Sequence, residues 1–216
     1  MSNKILNKNN LYKLNLNKNN LYKLNSNIKS KYFVYLLIIY LIILSFSGPR
    51  YYYFLPTIPF YPNNYEDVKN VQSAIKTRTQ KNIEFYRLTD SSVVHAFTPY
   101  VDESVDELNK MISSFPIRII VTGAKYFFNR ARPYQIQPDL DVLSSLTAHT
   151  PAFPAGHAFQ AYYLAKKMTY KYPENKKIFE KIAEECDNTR IKAGLHFPSD
   201  GIFSRYLVDL FLDWYI

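Results

Sequence analysis

Three short stretches of the chain place basic and histidine side chains beside glycine and proline. The first is Lys125-Tyr-Phe-Phe-Asn-Arg-Ala-Arg132-Pro133. Lys125 and Arg132 are seven residues apart, two helical turns, so a helix carries both on one face. Two fixed cations there can hold a dianionic group, Arg132 through paired hydrogen bonds and Lys125 as a point charge. The second stretch is Phe153-Pro154-Ala155-Gly156-His157-Ala158. Gly156 lets the backbone approach a ligand closely, and the unpaired N–H groups of a helix starting here make an anion site. His157 at that entry is placed to give a proton to a leaving oxygen. The third is Thr189-Arg190-Ile-Lys-Ala-Gly194-Leu-His196-Phe-Pro-Ser-Asp200. Arg190 adds a cation. Gly194 can end its helix and leave His196 in the next loop, four residues before Asp200. A carboxylate at that distance can hold one ring nitrogen and leave the other as a lone pair, which is base–orienter logic applied to a nucleophile. Singly, each stretch has a plain structural reading: a solvated basic face, a turn glycine with a capping histidine, an incidental surface pair. Together, three cations, two histidines and one carboxylate suit metal-free phosphoryl transfer.

Helices must position these groups, because apolar residues recur at helical spacing and no stretch alternates with period two. Asp67 to Arg87 reads as one helix. Asp102-Glu-Ser-Val-Asp-Glu-Leu108 supplies an N-cap and an acidic first turn for another. Pro116 fits as the first residue of a helix running to about Arg130. Gly156 to Lys171 follows the punctuation of Pro151 and Pro154, and Pro173 or Glu174 opens a long helix to about Ala193. Ser199 or Asp200 caps a last helix, with Ile202, Phe203, Tyr206, Leu207, Leu210 and Phe211 on its apolar faces. The expected domain is all-α, a packed helical bundle.

Charge is unevenly spread. The 216 residues include 27 Lys and Arg against 18 Asp and Glu, a net charge of +9. Residues 1–50 hold seven lysines, one arginine and no acid, which leaves 19 basic and 18 acidic groups for the rest. A groove that tracks nucleic acid needs a basic face on the folded domain itself, so nucleic-acid binding is not expected. The first 31 residues are low-complexity: Asn7-Lys-Asn-Asn-Leu-Tyr-Lys-Leu-Asn15 recurs ten residues later. With little apolar surface to bury, this reads as a disordered basic tail. Tyr32 to Gly48 are 17 residues without a charge, rich in Leu and Ile. That meets the lower limit of roughly 17–25 residues for crossing a bilayer core. Pro49 follows, and Tyr51 to Phe54 resemble an interfacial aromatic belt. Lysines upstream, against Arg50 downstream, predict a cytosolic N-terminus and a translocated C-terminal domain. A cleaved signal peptide, with Ser45 and Ser47 as a small-x-small site, is disfavoured by the length of the preceding segment. The expected order is a tail over 1–31, one transmembrane helix over 32–48, a linker over 49–65 and a catalytic domain over 66–216. The single cysteine, Cys186, excludes an internal disulfide and a thiolate zinc site.

Lys125-x6-Arg132-Pro133, Pro154-Ala155-Gly156-His157 and Arg190-x5-His196-x3-Asp200 resemble, in order and spacing, the three-part signature of the type 2 phosphatidic acid phosphatase superfamily. That superfamily includes bacterial non-specific acid phosphatases and vanadium-dependent haloperoxidases. The resemblance covers about residues 116–210 and implies an α-helical fold with a two-step reaction that uses no metal or cofactor. It implies that His196 attacks phosphorus and becomes a phosphohistidine, that Asp200 orients it, and that His157 protonates the leaving alkoxide and then activates water. Lys125, Arg132, Arg190 and the Gly156 N–H would bind the phosphoryl oxygens. Two positions depart from the pattern: Ala155 and Thr189 stand where the family usually has Ser. Thr189 keeps a hydroxyl. Ala155 removes a donor to a charged oxygen, a loss of roughly 1.5–3 kcal/mol that slows the chemistry without abolishing it.

The expected activity is a membrane-anchored, metal-independent phosphomonoesterase of the acid phosphatase or lipid-phosphate phosphatase type. Its substrate would be a phosphate monoester or a lipid phosphate. The catalytic segments are too short to span a membrane, so the domain is expected to be soluble and tethered by residues 32–48. Two other readings use the same residues. In a haloperoxidase the three cations and His196 would hold vanadate as cofactor. In a catalytically weakened structural membrane protein of the same fold, supported by Ala155 alone, no turnover is expected.

Overall fold

The computed structural model describes residues 31–32, 34–36, 39, 51 and 61–215, with C-terminal side chains as far as residue 212. The chain divides into two compact units, residues 1–47 and 48–216. In the first, residues 31, 32, 34–36 and 39 are helical and exposed. The expected basic tail, most of the expected transmembrane helix and most of the linker lie outside the described residues. Among the described residues no helix is long and apolar enough to cross a membrane.

The second unit is built from helices, and among the described residues there is no strand. Where one helix was expected over Asp67–Arg87 there are two, α1 (Asn64–Lys76) and α2 (Gln80–Asp90). The break comes from threonine side chains that compete with the helix backbone. Thr77 turns its hydroxyl back to the Ala74 carbonyl, and Thr79 forms a reciprocal capping box with Asn82. Helix α3 (Val105–Ile112) is capped by Ser104 and Glu107, within the stretch expected to supply its N-cap and acidic first turn. Helix α4 (Phe115–Phe128) has Pro116 in its first turn and ends at Asn129, whose φ of 46° stops it two residues short of Arg130. A single turn, α5 (Pro133–Ile136), precedes α6 (Gly156–Lys171), whose limits match the sequence reading. Pro173–Asn175 is a 3₁₀ turn, so the next helix, α7 (Lys176–Lys192), starts later than expected. Helix α8 (Pro198–Tyr215) starts ahead of Ser199.

Helix α6 is the central element. Its small Ala158, Ala161 and Ala165 are buried, and they let neighbouring helices come close. Leu164 and Met168 pack with Val94, Phe97, Leu108 and Ile112 on one side and with Phe179, Ala183 and Cys186 of α7 on the other. Phe159 joins Ile117 of α4 to Val208 and Leu212 of α8. The apolar face of α8 is thus only partly used: Ile202, Tyr206 and Leu210 are exposed, because α8 meets the core along a single stripe that includes Ser204 and Val208. Two smaller clusters matter for the chemistry. Phe197 packs with Val68, Val71, Ala152 and Ile191, whereas Leu195 packs with Tyr86 and Ala193. The residues either side of His196 are therefore anchored in different clusters, each burial stabilising by about 1.5–3 kcal/mol.

Candidate active site

Arg190 lies in the last turn of α7. That helix ends in a Schellman turn: the Gly194 N–H bonds the Ile191 carbonyl at 2.9 Å, and the Leu195 N–H bonds the Arg190 carbonyl at 3.1 Å. The turn requires a positive φ, and Gly194 has 77°. A Cβ there would also press on Val142 at 3.0 Å. The turn delivers His196, 2% exposed, to the wall of a cavity of about 360 Å³.

His196 Nδ1 lies 2.9 Å from Asp200 Oδ2, and its Nε2 lies 3.0 Å from an Arg132 guanidinium nitrogen. A carboxylate accepts and a guanidinium donates, so Nδ1 carries the hydrogen and Nε2 the lone pair. Burial, together with the charges of Arg132, Lys125 and Arg190 and the nearby His157, holds His196 well below the usual histidine range. The neutral form therefore persists into acid.

Asp200 is fixed from three directions. Its Oδ2 also accepts the Phe197 N–H at 3.0 Å, and its Oδ1 accepts from Arg130 at 2.6 Å. Arg130, wholly buried, was not among the sequence-derived candidates. Its other donors reach Asn64 at 2.9 Å, Asp67 at 3.0 Å and Ser199 at 2.6 Å, and its guanidinium lies 3.8 Å from the Phe197 ring centre. Ser199 donates in turn to Asp67.

Lys125 and Arg132 are held differently. Lys125 Nζ donates to the carbonyls of Pro151 at 2.7 Å and Ala152 at 3.4 Å. Arg132 donates to the carbonyls of Thr150 and Leu195, each at 2.9 Å. Among the described residues neither forms an ion pair with a carboxylate, so both charges remain to be met by an anion. Burial, reinforced by the charge of Arg132, lowers Lys125 well below its usual range, and burial lowers Arg132 to about 10.

Arg190 does have a carboxylate partner, Asp90 at the end of α2, at 2.5 Å. It also donates to Ser145 at 3.1 Å and Thr147 at 3.4 Å, which leaves its buried Nε–H unpaired. Burial raises the Asp90 pKa, but hydrogen bonds from Arg190, the Leu146 N–H and Ser145 outweigh it and hold it at about 2. The Asp90 main-chain carbonyl accepts from His157 Nε2 at 2.9 Å. His157 thus has its lone pair on Nδ1, and burial with the charge of Arg190 lowers its pKa to about 3. One residue outside the three motifs braces two motif residues, and no local spacing pattern marks it.

The cavity is lined by Lys125, Arg132, Gly156, His157, Arg190 and His196, and Asp200 sits behind His196. Gly156 opens α6 without a side-chain cap from Ala155, so its first-turn N–H groups are unused there. Ala155 is fully buried, and its carbonyl accepts from Ser204 at 2.9 Å. Thr189 turns its hydroxyl to the Glu185 carbonyl of its own helix at 2.8 Å. A larger groove of 540 Å³, lined by Tyr162, Lys166, Glu180, Arg205 and Asp209 among others, has no histidine. Among the described residues no three side chains of the His, Cys, Asp and Glu types are placed to hold a metal ion.

Behind the site, Asp187 of α7 is buried with one carboxyl oxygen unpaired, and its carboxyl group occupies the space where a side chain at Gly201 would begin. Burial and the charge of Asp200 push it up to about 7, from an ordinary value of 3.8. A raised folded-state value means that the unfavourable charge develops as pH rises from about 4 to 7. Asp187→Asn is therefore expected to stabilise the protein at pH 8 by up to about 4 kcal/mol, and by progressively less toward pH 4. Urea unfolding at the two pH values measures this, and equal midpoints for both proteins at pH 8 would contradict it.

Fold and site together define a helical domain with a cationic, histidine-lined cavity. Residues 108–212 match the sequence model of the PAP2 superfamily. A solved structure, described as the first transmembrane PAP2 type phosphatidylglycerolphosphate phosphatase, from Bacillus subtilis, is similar at 18% identity and a TM-score of 0.47. The match covers 84% of this chain and 96% of that one. No curated protein matches the sequence.

Proposed function

We propose that the chain is a membrane-anchored phosphomonoesterase that works through a phosphohistidine on His196, without a metal ion. The observation that carries this reading is the Nε2 lone pair of a neutral His196 beside two cations, Lys125 and Arg132, that form no ion pair with a carboxylate among the described residues. The phosphoryl group of a monoester binds these cations, Arg190 and the first N–H groups of α6. Nε2 attacks phosphorus, the bond to the leaving oxygen breaks, and that oxygen takes, by way of the His157 Nδ1, the proton that the monoanionic ester brought in. His157 then accepts a proton from the water that cleaves the N–P bond. Asp200 keeps the ring oriented and stabilises its positive form. The anchor over 32–48 would hold the cavity near a bilayer on the translocated side, which brings lipid phosphates within range as substrates. The test is p-nitrophenyl phosphate hydrolysis by the full chain in EDTA. Turnover inhibited by orthovanadate, with acid-labile, base-stable label on His196, is expected. Label on serine, a metal requirement, or peroxide-driven halide oxidation in place of hydrolysis would overturn the proposal.

The pH dependence has a definite sign. His157 at about 3 is neutral in the empty site, because burial and Arg190 oppose its proton. The proton that reaches the leaving group must then arrive with a monoanionic phosphate ester, whose second pKa is about 6. Deprotonation of Lys125 from its lowered value weakens binding further as pH rises. kcat/KM is expected to stay high at pH 5 and to fall about tenfold per unit above roughly pH 6–7. A pH–rate profile that climbs between pH 7 and 9 would contradict this assignment.

A further inference from the structure

Beyond the phosphate-binding groups, the cavity wall has a chemistry of its own. It is formed by the end of α2, by α3 and by the first turns of α6, and Ser91, Asn109, Ser113 and Gln160 face it with Ile112. Gln160 stands three residues after His157 on α6, so the two share a helix face. The oxygen that leaves phosphorus has to lie beside His157, and the carbon skeleton attached to it extends next to Gln160. Hydrogen-bonding capacity is unspent along this path. Asn109 Oδ1 accepts from Ser92 at 2.7 Å, while its amide N–H groups have no partner among the described residues. The Gln160 amide and the Ser91 hydroxyl have none either, although Gln160 is half-buried.

Amide groups at a partly closed wall gain little from an alkyl chain, which strips their water and returns no hydrogen bond. They gain from a ligand that carries hydroxyl groups. We infer that the alcohol released by this site is a polyol, so that the substrate is a glycerol- or sugar-type phosphate monoester rather than an alkyl or isoprenoid phosphate. The leaving skeleton is recognised through Asn109 and Gln160. This rests on the phosphatase reading and narrows it. A glycerol phosphate can be free in solution or form the end of a lipid headgroup, and both present the same hydroxyls to the wall.

The experiment compares esters matched in carbon number on the full chain: glycerol 3-phosphate against n-propyl phosphate, and ribose 5-phosphate against n-pentyl phosphate. The hydroxylated ester is expected to have the higher kcat/KM by about tenfold or more in each pair. In Asn109→Leu/Gln160→Leu, which roughly conserves volume, the preference should shrink to about twofold. A lipid ending in a glycerol phosphate monoester, presented in phosphatidylcholine vesicles, separates the two sources. Preference for the vesicle or for the free ester identifies the source, and either supports a polyol leaving group. Calorimetric binding of the same esters to His196→Ala gives a second readout that needs no turnover. If the wild-type chain hydrolyses nothing but His196→Ala still binds glycerol phosphate more tightly than propyl phosphate, the phosphatase reading fails and the wall's preference stands. Equal or better hydrolysis and binding of the alkyl esters overturns the inference and leaves the phosphatase reading intact. So does an unchanged preference in the folded double variant.

Discussion

His196→Ala should remove turnover while leaving the anion site in place: kcat falls by about 10⁴-fold or more, whereas orthophosphate still binds within about tenfold of wild type. The asymmetry follows from how the groups are held. The Nε2 lone pair has no ready substitute, because the cavity's other histidine, His157, is tethered through its Nε2–H to the Asp90 carbonyl. Lys125 and Arg132 are positioned mainly by the carbonyls of Thr150, Pro151, Ala152 and Leu195, and these contacts do not involve the imidazole. Calorimetry with orthophosphate, beside single-turnover hydrolysis, measures the two quantities separately. A variant that retains a tenth of the wild-type kcat would rule out His196 as the nucleophile.

Arg130→Met is the second large effect, and it acts on the fold as well as the chemistry. Arg130 is wholly buried between Asp67 and Asp200, both nearly inaccessible. Removing one member of a buried ionic group leaves the others charged without compensation, at a typical cost of 3–5 kcal/mol. Two carboxylates are stranded here, so a loss of about 4 kcal/mol or more is expected. Arg130→Lys should rescue little. An ammonium group cannot reach Asn64, Asp67, Ser199 and Asp200 at once or lie flat on the Phe197 ring. Under conditions where the variant remains folded, kcat should also fall, because Asp200 loses the contact on Oδ1 that directs Oδ2 toward His196. Chemical denaturation and kcat at low temperature check both parts, and a stability loss under 1 kcal/mol would contradict the assignment.

The sequence was readable wherever a local signal carries the structure. Pro116, Gly156 and the Ser104–Glu107 pair mark helix starts through short-range chemistry, and Gly194 marks the turn that frees His196. The cations and histidines of the three motifs could be named because their spacings are fixed within each segment. What escaped depended on partners far along the chain. Arg130 looked like one more basic residue between Lys125 and Arg132, because its acceptors lie 63 and 70 residues away. Asp90 lay three residues past the expected helix end at Arg87 with nothing to distinguish it, and its partner Arg190 is 100 residues on. The break at Thr77–Thr79 was missed because threonine is only a weak helix breaker and the apolar rhythm runs straight across it. The polar wall was equally hidden, since Asn109 and Gln160 meet only when α3 lies against α6.

Arg130 ties the carboxylate behind His196 to Asn64 and Asp67 at the start of α1, and Asp90 ties Arg190 to the end of α2. All three of these supports precede residue 108, where the family match begins. The signature is therefore not a portable cassette. A chimera that takes residues 108–212 from this chain and its first hundred residues from a relative would inherit every reactive group and still lack the braces that aim them. Divergence between such proteins should then be concerted: a change at position 67 or 90 would need an answering change at 130 or 190, although neither pair is close in sequence.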